Sequence, residues 1–395
     1  MESQRGQELI AFVWFFGYLK TEVINISKEQ SYIVKEVETS FDEKWIEFIL
    51  RNAECSIYYH PAWFKVLEEE TNQKIIKLVS LDDSEQLVGI LPLQFTRGVP
   101  LGLGGGPGTK RISSLPRTPV GGPVASNSKV ADMLLSKAIE ISNENSQYRL
   151  QIKSFNDGLN ERISALTKYY WREFYFTDIP KYPEELRFGN SKNHTKIKWG
   201  VNKALKNGVK VRYADAENDL LEWYNLYLDT MKFHTTPPRS LHFFKSLLKN
   251  LGPKGLMQLV LAELEDNGKR RIIAGSIYFT FNKIVVYAFN GSDRNDFELR
   301  PNDLIHWTVI HDAQKKGFEI YDWGEVTKGQ EGLAAYKEKW SSKKLNMYHY
   351  YFPGFESNNE DDIDSGIKEG LLKNLWDLLP LKVTSIIGTQ IFKYL

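Results

Sequence analysis

The segment LRPNDLIHWTVIHDAQKKGFEIYDWGEVTKGQEGLAAYKEKW, residues 299–340, decides the fold. Pro301 suits the first turn of a helix, because the N–H that it lacks would have no partner there. The apolar residues that follow recur at helical spacing: Leu304, Ile305, Val309 and Ile310. Gly317 suits the end of this helix, and a β-rich run (318–323) and a second helix (331–340) follow. A helix that leads into a strand indicates an α/β unit.

Composition excludes several classes of protein. The chain has 395 residues, 42% hydrophobic and 26% charged, which is ordinary for a globular protein of two or three domains. Its net charge of +1 creates no overall field that would attract nucleic acid or a membrane surface. A single cysteine, Cys55, excludes an intramolecular disulfide and a cysteine metal cluster. His306 and His311 are spaced by five and do not share a helix face, so we expect no metal site.

The junction between the two halves of the chain is its most charge-biased part. Residues 187–212 contain eight Lys or Arg residues and no acid. Ile197 and Val201 lie on one face of the predicted helix. The lysines on the opposite face are Lys192, Lys196, Lys203 and Lys206. Such a stripe either holds the phosphates of a nucleotide-linked precursor, coenzyme A or transfer RNA, or is a solvated helix face.

The two halves of the chain have a similar order of predicted elements. In each half, helices lead into a hairpin, 75–95 and 256–280, and then into a strand, a helix and another strand. This echo favours a duplicated fold, although no sequence repeat accompanies it. The glycine-rich segment 101–123 lacks Walker spacing, so we expect an irregular loop rather than a phosphate cradle.

Both ends of the chain carry short apolar segments. Residues 9–19 are too few to span a membrane and lack the flanks of a signal peptide, so we expect an appended helix or a misassigned start rather than a membrane anchor. After Phe352 an acidic linker leads to two apolar helical pieces, 371–379 and 381–395, which are broken at Pro380. The last piece suits either a peripheral membrane contact or packing on the protein, and we expect packing.

Several motifs together resemble one family. They are RPNDLIHW, YDWG and GLAAYKEKW in the opening segment, SLPRTPVGGP at 114–123 and TPP at 236–238. Across residues 32–352 the chain resembles the FemAB/FemX-type peptidyltransferases and their acetyltransferase-like relatives, which belong to the GNAT superfamily. The resemblance implies an α/β (α+β) fold with two tandem GNAT-like domains, mixed sheets and a C-terminal helical tail. The implied division is an N-terminal extension (1–31), two domains (32–186 and 187–352) and a tail (353–395).

The resemblance also implies catalytic residues. Forming an amide from an activated ester or thioester requires a neutral amine, correct orientation and a positive group beside the developing oxyanion. Lys337 is the implied charge stabiliser, with Tyr336 and Trp340 positioning it. Asp322 is expected to orient the attacking ammonium group or accept its proton, and Glu325 is the second choice for that role.

Substrate-binding residues follow from the same resemblance. In the GNAT fold one strand splays from its neighbour and binds the pantetheine arm, and the next loop and helix hold the pyrophosphate. The donor-binding residues expected here are Arg294, Arg300, Asn302 and Trp340. The acceptor-binding residues expected are Lys196, Lys203, His234, Arg239 and Arg117. The glycine-rich loop of simple acetyl-CoA enzymes is absent, which favours aminoacyl-tRNA as the donor.

The expected function is N-acyl transfer, which moves an acyl or aminoacyl group onto an amine of a cell-envelope or surface-glycan precursor, such as a peptidoglycan precursor. No cofactor is expected to stay bound, and acyl-CoA or aminoacyl-tRNA is the co-substrate. The expected partners are a phosphate-bearing or lipid-linked precursor and tRNA, in the cytoplasm or at the inner face of the membrane. Two alternatives stay open: acyl-CoA-dependent N-acetylation of a nucleotide sugar, and a non-catalytic precursor-binding module.

Overall fold

The computed structural model describes residues 31–97, 110–215, 217–266, 268–354, 376 and 378–394. The predicted N-terminal helix (9–19) lies outside these residues, as do the first part of the glycine-rich loop and most of the apolar piece 371–379.

The described residues form thirteen strands and ten helices. The strands are β1 Tyr32–Val37, β2 Ile75–Asp82, β3 Leu87–Thr96, β4 Arg111–Ser113, β5 Val124–Ala125, β6 Arg149–Ser154, β7 Thr167–Asp178, β8 Lys210–Tyr213, β9 Met257–Asp266, β10 Lys269–Phe281, β11 Ile284–Ser292, β12 Ile320–Val326 and β13 Lys343–Phe352. The helices are α1 Asp42–Arg51, α2 Pro61–Thr71, α3 Ser128–Glu144, α4 Leu159–Arg162, α5 Ser191–Lys206, α6 Glu217–Phe233, α7 Leu241–Leu251, α8 Pro301–Lys315, α9 Glu331–Trp340 and α10 Leu381–Tyr394.

All strands join one mixed sheet, in the order β1-β2-β3-β4-β6-β13-β7-β12-β11-β10-β9-β8, with β5 paired to β3. The last strand of each sequence half sits beside the other half. β7 pairs with β12, and β13 inserts between β6 and β7. The predicted α/β architecture of two GNAT-like halves is therefore confirmed, and an exchange of final strands joins the halves. The division at residues 186 and 187 stays a prediction.

Helix α8 follows the sequence pattern closely. It begins at Pro301 and ends two residues before Gly317, whose φ of +78° is in the left-handed region that favours glycine. Ile305 and Ile310 are fully buried, and burial of each such side chain stabilises the fold by about 1.5–3 kcal/mol. The next strand is Ile320–Val326, so it begins two residues later than the β-rich run suggests.

One apolar core reaches across both halves. Trp63 of α2 makes edge contacts with Phe243 and Phe279, with ring centroids 6.3 and 5.4 Å away. The C-terminal helix α10 packs against α2 and α6, and the hydroxyls of Ser385 and Tyr224 lie 3.0 Å apart. The prediction that the last apolar piece packs on the protein is confirmed for this helix.

Candidate active site

Strands β11 and β12 separate at the centre of the sheet. They pair in parallel only where residues 284–286 lie beside residues 320–322. Beyond Asp322, β12 continues along β7, while β11 continues along β10 with a bulge at Ala288. Bulges re-aim the backbone and are common beside active sites. The two strands therefore open a wedge, as the resemblance to the GNAT fold implies.

Helix α9 directs Lys337 toward the β12 side of this wedge. The side chain is buried, and its Nζ donates a hydrogen bond to the main-chain oxygen of Glu325 at 2.8 Å. Gly324, with a φ of +71°, lies beside it: a Cβ there would be 3.9 Å from Nζ. Burial lowers the pKa of Lys337 to about 8, although the nearby carboxylates of Asp322 and Glu325 oppose that shift. The ammonium group therefore stays mostly protonated at pH 7.

Asp322 is a buried carboxylate whose charge acts on this lysine without a direct ion pair. One of its carboxylate oxygens accepts the N–H of Gly324 at 2.7 Å. Burial raises the pKa of Asp322 to about 6, while that hydrogen bond and the charge of Lys337 limit the rise. Between about pH 6 and pH 8 the pair therefore consists of a carboxylate, which can accept a proton, and an ammonium group, which can stabilise an oxyanion.

Strands β6 and β7 add polar residues that sequence reasoning missed, and Glu325 of β12 is a residue that it ranked second. Arg172 of β7 binds the carboxylate of Glu325 at 2.5 Å, and Trp171 donates to the same group at 3.1 Å. Lys153 of β6 is buried, and its Nζ donates to the main-chain oxygens of Leu115 and Thr118 at 2.8 and 2.9 Å. Burial lowers the pKa of Lys153 to about 7. The only feature of the sequence that could have indicated Lys153 is that polar residues stand at alternate positions in β6.

Arg117 and Arg239, both predicted to bind the acceptor, form an internal cluster. Arg239 makes an ion pair with Glu70 at 2.5 Å and donates to the main-chain oxygen of Arg117 at 3.0 Å. Arg117 donates to the main-chain oxygen of Phe392 in α10. The ring of Phe392 lies 5.3 Å from one guanidinium and 4.9 Å from the other. These two arginines therefore lie beneath the C-terminal helix, and their acceptor role stays a prediction.

The two lysines predicted to bind the acceptor, Lys196 and Lys203, lie on one surface with Arg300, which was predicted to bind the donor. Lys203 and Arg300 approach the ring of exposed Trp199 to 5.5 and 5.7 Å. Lys196 is exposed on the same helix, one turn before Trp199. The structure therefore brings two acceptor candidates and one donor candidate together around an aromatic ring that sequence reasoning did not single out.

Arg294 and His234 lie together near the end of α6. Arg294 pairs with Asp229 at 3.8 Å and packs over Phe233 at 4.3 Å. His234 contacts the same ring, and burial together with Arg294 lowers its pKa. A predicted donor residue and a predicted acceptor residue thus share one small cluster.

Of the remaining predicted residues, two form hydrogen bonds with neighbouring protein groups and the third is packed in the core. Asn302 accepts hydrogen bonds from Asn290 and Ser292 of β11 at 3.2 and 3.1 Å. Tyr336 donates to Asp303 at 3.2 Å. Trp340 is fully buried and packs on neighbouring aromatic rings, so in this structure its contacts are those of a core residue.

Among the described residues, no group of three or more His, Cys, Asp or Glu side chains is placed to hold a metal ion. Within the same ranges, each helix is too short or too polar to cross a membrane.

Comparison with protein families identifies the class of this protein. Residues 191–338 match the family model described as an acetyltransferase (GNAT) domain. That segment contains Asp322, Lys337 and the two strands that separate. No protein with a curated description matches the chain by sequence. The chain therefore contains a GNAT-type acyltransferase domain over residues 191–338.

Several solved structures share the fold of this chain. FemX is 15% identical, with a TM-score of 0.63 over 81% of this chain and 98% of that one. L-PGS from Bacillus licheniformis is 10% identical, with a TM-score of 0.51 over 90% and 99%. The C-terminal domain of a candidate lysylphosphatidylglycerol synthetase from Agrobacterium fabrum is 10% identical, with a TM-score of 0.54 over 83% and 98%. At these identities the likeness is one of fold. Together with the matched GNAT domain, it shows that the chain shares a GNAT-type fold with FemX.

Proposed function

We propose that this protein is an N-acyltransferase that moves an acyl or aminoacyl group onto an amine of a cell-envelope or surface-glycan precursor. The observation that carries the proposal is the buried pair of Lys337 and Asp322 beside the wedge between β11 and β12. A buried lysine and a buried carboxylate whose pKa values approach neutrality suit proton transfer and oxyanion stabilisation at neutral pH.

The proposed step needs few catalytic groups. The neutral amine attacks the acyl carbon, and Lys337 stabilises the negative charge that develops on the carbonyl oxygen. Asp322 takes the proton that the nitrogen loses as the C–N bond forms. The C–S or C–O bond to the carrier then breaks, and the carrier leaves with the proton that Asp322 had taken from the nitrogen. Arg172 and Glu325 act indirectly, because their ion pair fixes the strand that carries Asp322.

The proposal also covers the donor, the acceptor, the location of the reaction and the domains. The donor is acyl-CoA or aminoacyl-tRNA; the GNAT domain favours the first, and the absence of the glycine-rich acetyl-CoA loop favours the second. The acceptor is a phosphate-bearing or lipid-linked precursor, in keeping with a fold that the lysylphosphatidylglycerol synthetase domain shares. The reaction would take place in the cytoplasm or at the inner face of the membrane. Residues 32–186 and 187–352 are the proposed domains.

A second candidate is acyl-CoA-dependent N-acetylation of a nucleotide sugar, which the match to an acetyltransferase domain favours. The two candidates differ in their donor. Purified protein is therefore given either radiolabelled acetyl-CoA or radiolabelled aminoacyl-tRNA, each with a panel of amino sugars, nucleotide sugars and lipid-linked precursors. Label that moves from one donor to an amine identifies the candidate.

Variants separate catalysis from binding in the same assay. Lys337→Met and Asp322→Asn should lose transfer while donor affinity, measured by calorimetry, is retained. Transfer by both variants at the wild-type rate would contradict the proposed roles. Binding of donor and acceptor by the wild-type protein without any transfer would instead define a precursor-binding module.

A further inference from the structure

Trp199 is exposed at the middle of helix α5. Its exposed fraction is 57%, whereas Trp45, Trp63 and Trp223 are at most 1% exposed. The opposite side of α5 is buried through residues such as Ile197. Exposing a tryptophan leaves a large apolar surface in water, and such residues commonly serve binding.

Two cations, Lys203 and Arg300, contact this ring, and further lysines lie on the same side of the helix. On a helix that turns about 100° per residue, four lysines fall within about 60° of Trp199. Arg300, at the start of α8, approaches from the neighbouring helix. We call this surface the Trp199 face; it comprises Trp199, Lys192, Lys196, Lys203, Lys206 and Arg300.

The cations of the Trp199 face lack anionic partners within the described part of the chain. None of the five has a carboxylate oxygen within 4.0 Å there, whereas other helical lysines do, such as Lys137 with Glu140 and Lys249 with Glu69. Unpaired cations around an aromatic ring suit a ligand that combines phosphates with a flat ring. A purely apolar partner would leave the charges uncompensated.

The Trp199 face is connected to the candidate active site by direct contacts. Gly200 packs on Asp303 of α8 so closely that a Cβ would lie 2.4 Å from the carboxylate. Asp303 accepts hydrogen bonds from Tyr336 at 3.2 Å and from Lys339 at 2.9 Å. Both residues flank Lys337 in α9. In addition, α8 begins shortly after β11, the strand that forms one side of the wedge.

We infer that the Trp199 face binds the adenosine nucleotide of the acyl carrier, with the adenine stacked on Trp199 and the phosphates on Lys196, Lys203 and Arg300. This inference rests on the proposed acyl transfer, because it assigns a site to the carrier. Coenzyme A contains adenosine phosphates, and a charged tRNA ends in an adenosine that follows two cytidines. The shared chemistry is an adenine ring beside phosphates, with the acyl group at a distance from the Trp199 face.

Binding is measured directly by calorimetry at low and moderate salt, without turnover. The probes are coenzyme A and the trinucleotide CCA. Stacking of a base on an aromatic side chain predicts a loss of affinity of about 5- to 100-fold in Trp199→Ala, with substantial recovery in Trp199→Phe. Lys203→Gln should lower the salt dependence, because each phosphate contact that is lost releases about one counterion fewer. Lys337→Met should bind both probes as the wild type does.

The matched control is Tyr182→Ala. Tyr182 is 51% exposed, and Lys181 lies 5.6 Å from its ring, so it is another exposed aromatic residue beside a lysine. Its removal should leave the affinity for both probes unchanged. An equal loss in Tyr182→Ala and Trp199→Ala would mean nonspecific stacking and would overturn the inference.

The outcomes separate this site from the proposed function. Tight binding of coenzyme A alone assigns a thioester carrier, and tight binding of CCA alone assigns a tRNA carrier; both support the inference. Active enzyme whose donor KM and probe affinity are unchanged in Trp199→Ala overturns the site but leaves acyl transfer intact. Probe binding that depends on Trp199 in a protein without transfer activity keeps the site and rejects the function. Binding of inorganic pyrophosphate or anionic vesicles, but of neither nucleotide, overturns the inference.

Discussion

Two buried groups of charged residues lie near the junction of the halves, and they differ in how their charges are used. In the Glu70 cluster (Glu70, Arg117 and Arg239), Glu70 holds Arg239 at 2.5 Å, and both guanidiniums pack on Phe392. In the catalytic pair, the Lys337 ammonium group has a main-chain oxygen as its hydrogen-bond partner, beside an opening in the sheet. Helix α10 covers the Glu70 cluster, whose charges therefore suit a stabilising role. The Lys337 ammonium group lies beside an opening and is available for catalysis. The comparison predicts that mutations in the two groups will have opposite effects on stability and activity.

The largest expected effect on stability comes from Glu70→Gln. It would leave two buried guanidiniums without their anion, and breaking a buried ion pair from one side typically costs about 3–5 kcal/mol. Denaturant unfolding measures the change. Glu47→Gln is the control, because Glu47 pairs with Arg51 at the exposed surface and should not alter stability measurably. If Glu70→Gln is as stable as the control, the Glu70 cluster is not structural.

Lys337→Met tests the other group. Loss of a charge stabiliser should lower kcat/KM by about 10²–10³-fold, while unfolding changes little because the lysine is already desolvated. The measurements are transfer kinetics and denaturant unfolding on the same preparation. Lys315→Met, an exposed lysine of α8, controls for loss of a positive charge. A large loss of stability with normal kcat/KM would make Lys337 structural, like the Glu70 cluster.

Local signals predicted the elements around the catalytic pair. Pro301, Gly317 and the apolar spacing placed α8, and 331–340 is a helix as expected. The link between Asp322 and Lys337 came from the family resemblance rather than from periodicity. Between them, β12 has a bulge at Trp323 and a left-handed Gly324, neither of which a single sequence specifies.

Long-range contacts could not be predicted. Arg117 and Phe392 are separated by 275 residues, so no local pattern could show that the C-terminal helix covers that arginine. The strand β13 was also missed, because its buried residues on both faces remove the usual alternation. Its insertion beside β6 helps to bury Lys153, which an alternating strand pattern would leave exposed.

Once corrected for the fraction of acceptor amine that is neutral, the pH dependence of transfer should reflect the catalytic pair. Below about pH 6, Asp322 gains a proton and can no longer accept one; above about pH 8, Lys337 loses its charge. Hence kcat/KM should fall about tenfold per pH unit on each side of a maximum near neutrality. Asp322→Asn should abolish the acidic limb, and Lys337→Met the basic limb. In Lys337→Met the acidic limb should also move to higher pH, because the cation no longer holds down the pKa of Asp322. Limbs that persist in both variants would assign the titration to other groups.

The smallest expected effect tests the cover of the Glu70 cluster. Phe392→Leu keeps an apolar side chain but removes the ring that lies 5.3 and 4.9 Å from the two guanidiniums. Two partly desolvated cation–π contacts predict a loss of about 1–2 kcal/mol in the free energy of unfolding, with kcat/KM unchanged. Ile386→Ala, in the same helix but 63% exposed, should lose less stability. If Phe392→Leu instead raises kcat/KM without changing stability, then α10 restricts the acceptor's access to Arg117 and Arg239. The closed cluster would then be part of the binding groove, and the contrast between the two groups would no longer hold.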